Sequence, residues 1–183
     1  MLEKLLKCGI AGGVVLFLWG MMAWTVLPWH QIQMKKFEDE SKVAHVIKDN
    51  ASESGIYVLP NMRGIPKNSE EMDEARESMR QGPFVFAAVS LEGMKPNKAI
   101  PMVKGFVLKI ISAIIVTWMV MQTKLNYNKR VGFITMIGLL IGLLSTIPEV
   151  IWVGFPLGFS LALMFEVIFG WFFAGLVIAK LVK

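Results

Sequence analysis

Apolar positions fall along this chain in four long blocks, and the polar positions gather between the first block and the second. Cys8 to Leu27 is a run of 20 residues without a charge. As a helix it is about 30 Å long, enough for the hydrocarbon core of a bilayer. Gly105 to Gln122 is the second run, and Lys109 is its only charge. Val131 to Ile147 is a third, of 17 residues, roughly 25 Å and short for a straight span. After it, Pro148 either ends the span or kinks it, with Glu149 to Gly154 continuing the helix or lying in the interface around Trp152. Pro156 to Ala179 is the fourth run, broken only by Glu166. The pattern predicts a membrane α-helical protein with four transmembrane helices.

Residues 30–104 follow other periods. Val43, Ala44, Val46, Ile47 and Ala51 recur at helical spacing while Lys42, His45, Lys48 and Asp49 face away, and Asp39 is placed to cap that helix. Gly55 to Pro60 is a short β-rich run, and 61–67 is loop. Asn68 with Glu71 fits a capping box opening a helix to about Gln81, where Gly82-Pro83 stops it before a second strand at Phe84 to Leu91. The order is a small α/β insert, α-β-α-β, between helices 1 and 2. A helix between two strands makes a parallel pair with a right-handed crossover the expected pairing. Two strands are marginal alone, so the insert is expected to lean on the spans or on a partner. The expected organisation is 1–29, a first transmembrane helix; 30–104, the insert; and 105–183, helices 2 to 4.

Charge then orients the spans. The insert carries 11 Lys/Arg against 11 Asp/Glu, so the net charge of +5 arises elsewhere. Lys4, Lys7, Lys124, Lys129, Arg130, Lys180 and Lys183 flank the spans on one side, with Glu3 the only acid among them. That asymmetry is a positive-inside pattern, not a nucleic-acid footprint. It predicts a multi-pass membrane protein with both termini cytoplasmic and residues 30–104 extracytoplasmic. The first run ends in Trp24-Thr25-Val26-Leu27-Pro28-Trp29 rather than a small-x-small site, so an uncleaved signal-anchor is expected. Trp24 and Trp29 suit its outer interface.

Candidate chemistry is sparse. One Cys (Cys8) and two His (His30, His45) leave no intrachain disulfide and no expected metal site. No H-E-x-x-H, G-x-S-x-G or phosphate-cradling glycine loop occurs, so no catalytic or cofactor-binding residue is assigned. Glu166 is the foremost candidate, because a carboxylate near the bilayer midplane costs about 2.5–3.5 kcal/mol and calls for a partner or a function. Lys109 is the one basic residue inside a span, and the two form a candidate intramembrane pair, as a structural ion pair, a proton or ion pathway, or a subunit contact. His30 at the membrane surface and Glu149 beside Pro148 form a candidate outer-interface polar group. Gly9 with Gly13, Gly138 with Gly142, and Gly170 with Ala174 are small-xxx-small pairs that let helices pack within the bundle or between copies. Asn50-Ala51-Ser52 matches a glycosylation acceptor in form only.

Leu27-Pro28-Trp29-His30, Gly55-Ile56-Tyr57-Val58-Leu59-Pro60, Gly82-Pro83-Phe84-Val85-Phe86-Ala87 and Gly170-Trp171-Phe172-Phe173-Ala174-Gly175 resemble segments of a group of small bacterial four-span inner-membrane proteins of unassigned function. The resemblance extends over nearly the full length and implies a periplasmic insert after the first span. It carries no catalytic residue across. The function expected from these features is a non-enzymatic accessory or assembly subunit of a larger membrane complex, contacting partners through the insert. A small oligomeric transporter or channel using Glu166 and Lys109, and a periplasmic sensor or ligand-binding module, are the alternatives. Expected partners are the lipid bilayer and other membrane subunits or further copies of the chain, with no cofactor.

Overall fold

A computed structural model describes residues 1–94 and 96–182, so the flanking cation Lys183 lies outside the described residues. The chain divides into two compact units, residues 1–35 with 97–183 and residues 36–96. The larger unit holds four helices long and apolar enough to cross a membrane: α1 (Leu2–Thr25), α4 (Ala99–Met121), α5 (Tyr127–Pro148) and α6 (Leu157–Leu181). The smaller unit holds α2 (Glu40–Asn50), β1 (Gly55–Leu59), α3 (Glu70–Gln81) and β2 (Val85–Val89).

The helical unit is organised by small residues. α1 packs on α4 and on α6, and α6 packs on α5, whereas α4 touches α5 and α6 little. A Cβ placed on Gly13 would stand 2.6 Å from Ile110 Cα, so bare backbone faces α4 there. Gly9 makes the same close approach at Ile114. On the other flank, Gly138 lies against Trp171 and Gly142 against Met164, joining α5 to α6. Gly170 faces Trp19 of α1, and Ala174 is fully buried. Lipid tails are as apolar as leucine, so close backbone packing of this kind holds membrane helices together where the hydrophobic effect cannot. Many large apolar side chains on the outer faces of these helices, Leu18, Leu108, Ile115 and Leu144 among them, are exposed to the surroundings the bilayer supplies.

Two boundaries differ from the sequence reading. α4 starts at Ala99, six residues before the expected span, because Pro101 falls in its first turn. A proline is harmless there, since the first four N–H groups of a helix have no intrahelical partner. α5 runs through Pro148 into a π-helical turn at Glu149–Val153, and Gly154, at φ 74°, ends it in the left-handed region. The helix therefore continues past Pro148 to the turn bearing Trp152.

The expected parallel pairing is corrected. β1 and β2 are antiparallel, with Gly55 opposite Val89, Tyr57 opposite Ala87 and Leu59 opposite Val85. The end of β1 thus meets the start of β2, so loop 60–69, α3 and the Gly82 turn make an excursion that returns to one end of the sheet. A crossover would have to carry the chain back along the strand as well. Asp39 caps α2, its Oδ1 accepting from the Lys42 N–H at 2.9 Å. The α3 cap is Ser69, one residue beyond the expected Asn68: its Oγ accepts from the Met72 N–H at 3.2 Å and donates to the Pro66 carbonyl at 2.7 Å. The two helices pack little against the sheet, and among the described residues of this unit only Met72 is buried.

Gly13→Val should lower the thermal stability of the detergent-solubilised chain by about 1–3 kcal/mol, because a side chain there meets α4 backbone. Gly132→Ala, with nothing within 4 Å of the added methyl, should leave it unchanged or raise it. Equal melting of both variants by circular dichroism would refute the backbone contact.

Candidate functional site

The polar residues of the spans collect at one level of the bundle. Glu166 stands nine residues into α6 and Lys109 ten residues into α4, roughly 13 Å and 15 Å along their helices. The early start of α4 sets Lys109 deeper than a span beginning at Gly105 would. Lys109 Nζ donates to the Leu16 carbonyl at 3.0 Å and lies over Gly20, where a Cβ would overlap the ammonium. The same Cβ would stand 3.5 Å from Glu166 Oε1, ordinary contact, so the missing methyl group makes room for the ammonium while the carboxylate lies beside the same glycine. Among the described residues, however, the two form no direct ion pair; the side chain that meets the Glu166 carboxylate is His30.

His30 reaches Glu166 because the chain folds back after α1. Pro28 cannot continue a helix ladder as a donor, but its carbonyl accepts from the Ile32 N–H at 3.0 Å and starts a new turn. That turn leads into a 3-10 helix, Gln31–Gln33, seated beside the start of α6, where a Cβ on Gly158 would stand 2.9 Å from Gln33 Oε1. His30 Nε2 then lies 3.1 Å from Glu166 Oε2, with the histidine side chain 1% exposed and the carboxylate 14%. The approach is close but off the line of a well-aligned hydrogen bond, and Nδ1 has no hydrogen-bond partner among the described residues. Trp24 stacks flat on the imidazole, ring centroids 4.1 Å apart, and Trp29 meets it edge-on at 5.6 Å. Trp19 Nε1 donates to the Glu166 backbone carbonyl at 2.8 Å and so ties α1 to the same residue of α6.

Other candidate positions lie apart from this cluster. His30 is corrected from a surface residue to a fully buried one, and its carboxylate partner is Glu166 rather than Glu149. Glu149 opens the π-helical turn, half-buried, and makes no ion pair among the described residues. His45 is exposed on α2, 3.4 Å from Asp49. Gly20, Trp19 and Trp24 were not among the sequence candidates. The sequence does hold a signal for Gly20: it is a small residue in α1 with no small partner at four-residue spacing, which leaves room for a side chain rather than a helix.

Chemically, the cluster is a carboxylate flanked by an imidazole and an ammonium behind a wall of indoles. It can hold a charge inside the bundle by local pairing, and an acid and an imidazole in contact can share a proton. Among the described residues, no group of three His, Cys, Asp or Glu side chains is placed to hold a metal ion. Lys109 and Glu166 also line a groove of about 540 Å³ between α4 and α5, floored by α1 and α6. Four apolar helices around an internal polar cluster define a multi-pass membrane protein in contact with lipid. Compared with protein-family models, curated proteins and solved structures, the chain matches none.

Removing one partner of the buried pair should expose the coupling. His30→Ala and Glu166→Gln, measured singly and together by denaturant unfolding in detergent, should show an interaction of about 1–3 kcal/mol. Simple additivity would mean the 3.1 Å contact contributes nothing. Gly20→Ala should also destabilise, since its methyl displaces Lys109 Nζ from the space over Gly20.

Proposed function

We propose that the chain is a non-enzymatic accessory or assembly subunit of a larger membrane complex in a bacterial inner membrane, with residues 36–96 as its periplasmic contact module. The observation that carries this reading is the uncovered sheet. Ile56, Val58, Phe86 and Ala88 share one face by the strand register, with Ile56 62% and Phe86 43% exposed. Leu59 and Val85 on the other face are also exposed. With a single buried residue among those described, Met72, the unit has almost no core of its own, and a two-stranded sheet needs cover to be stable in water. Each strand also keeps one unpaired edge, where an extended segment of another protein can add a strand.

Seven cations flanking the spans support cytoplasmic termini and hence a periplasmic insert. A second reading, a small oligomeric transporter or channel, draws support from Glu166 and Lys109 lining one groove. The two readings part at Glu166. In a transporter, Glu166→Gln leaves assembly intact and abolishes flux; in an accessory subunit, the insert decides function and no flux is seen in either form.

Ile56→Asp with Phe86→Asp should abolish co-purification of stoichiometric unrelated subunits in mild detergent, while the chain's helicity and melting stay as in the wild type. Retention of those subunits by the double variant, or a wild type that purifies alone as a monomer, would overturn the accessory-subunit reading.

A further inference from the structure

The groove between α4 and α5 is a second feature, independent of the insert. Its walls are apolar, with Ile115 and Met119 from α4, Ile137 and Ile141 from α5, and Trp171 from α6. Its polar groups converge at the level of Lys109. Cavities of about 300–1,000 Å³ with apolar walls and a few convergent polar groups are the usual form of small-molecule sites, and this one measures about 540 Å³. It opens between two helices that barely touch, within spans whose outer faces meet lipid.

Lys109 sets the chemistry of the occupant. An ammonium has three N–H donors, and among the described residues the protein uses one of them, on the Leu16 carbonyl. Glu166 is not in ion-pair contact with it among the described residues; the carboxylate's close contact is with His30, at Oε2. Unfilled donors in a hydrocarbon setting are costly, and the apolar walls leave room for little besides a chain of carbon atoms. Lys109 and Glu166 carry opposite formal charges over the same glycine. A neutral acceptor therefore fills the donors without adding net charge to the bundle, whereas an anionic head adds one.

We propose that this groove binds one long-chain, neutral, carbonyl-headed molecule, its carbonyl oxygen accepting a hydrogen bond from Lys109 Nζ and its chain lying between α4 and α5. An acyl ester and an alkyl-tailed quinone both present that chemistry. Native mass spectrometry of the detergent-purified full chain can separate them, titrating a long-chain methyl ester, an alkyl-tailed quinone, the matching alkane and the matching fatty-acid anion in parallel. One carbonyl compound should be retained per chain, about tenfold more tightly than the alkane or the anion. Which of the two it is names the source. Lys109→Met should weaken it by about the same factor. Ile115→Trp fills the groove from an exposed position and disturbs no polar contact, so it should abolish retention even where Lys109→Met fails to fold. Equal retention of alkane and ester, tighter binding of the anion, or unchanged binding in Ile115→Trp would each overturn the proposal.

Discussion

A carboxylate inside an apolar helix has to be compensated where it stands, and much of the helical unit is arranged around doing that for Glu166. An isolated charge at the centre of a span is expensive, and even a matched pair gains only when the geometry is good and further hydrogen bonds are supplied. The carboxylate is met from two directions, and a third contact anchors the backbone of the same residue. His30 approaches Oε2 at 3.1 Å, Lys109 stands over Gly20 beside Oε1, and Trp19 hydrogen-bonds the backbone carbonyl of the same residue. Two of the three contacts belong to α1 or the turn that follows it. The central α1–α6 pairing is therefore held by polar contacts as well as by packing, with Gly170 against Trp19 completing the seam.

The two units answer to different solvents, and each departs from self-sufficiency in its own way. The helical unit can leave Leu18, Leu108 and Leu144 bare because lipid meets them. Its internal specificity comes from glycines that admit backbone or, at Gly20, a charged side chain. The α/β unit carries an acidic excess, 8 Lys/Arg against 11 Asp/Glu, with Asp73–Arg76 and Glu77–Arg80 pairs along α3, but exposed pairs of that kind add little stability. With Met72 its only buried residue among those described, it has the caps and strands of a domain without the interior of one.

Much of this was legible in the sequence. The four spans follow from hydropathy, and the α2 and α3 helices follow from period and caps, because local chemistry fixes them. The misreadings are tertiary. Antiparallel pairing of Leu59 with Val85 depends on where loop 60–69 and α3 return the chain, which no strand pattern encodes. The start of α4 at Ala99 was hidden because the apolar run begins only after Lys104, and the first turn of a helix need not share the hydropathy of its span. Glu166 and Lys109 stand out because charge is rare in a span. Burial of His30 did not, since a histidine after Leu-Pro-Trp reads equally well as a surface residue. Only the refolding of the chain at Pro28, with Trp24 laid over the imidazole, distinguishes the two.

That turn also settles how the polar groups divide their work. His30, folded back against Oε2, meets the carboxylate on one side, while Lys109, on the Oε1 side, donates to the Leu16 carbonyl. The ammonium is left at the floor of the α4–α5 groove with donors to spare. A single turn of 3-10 helix, seated on the start of α6, thus brings the imidazole to Glu166, and in the proposed reading the spare donors of Lys109 meet a molecule arriving from the lipid.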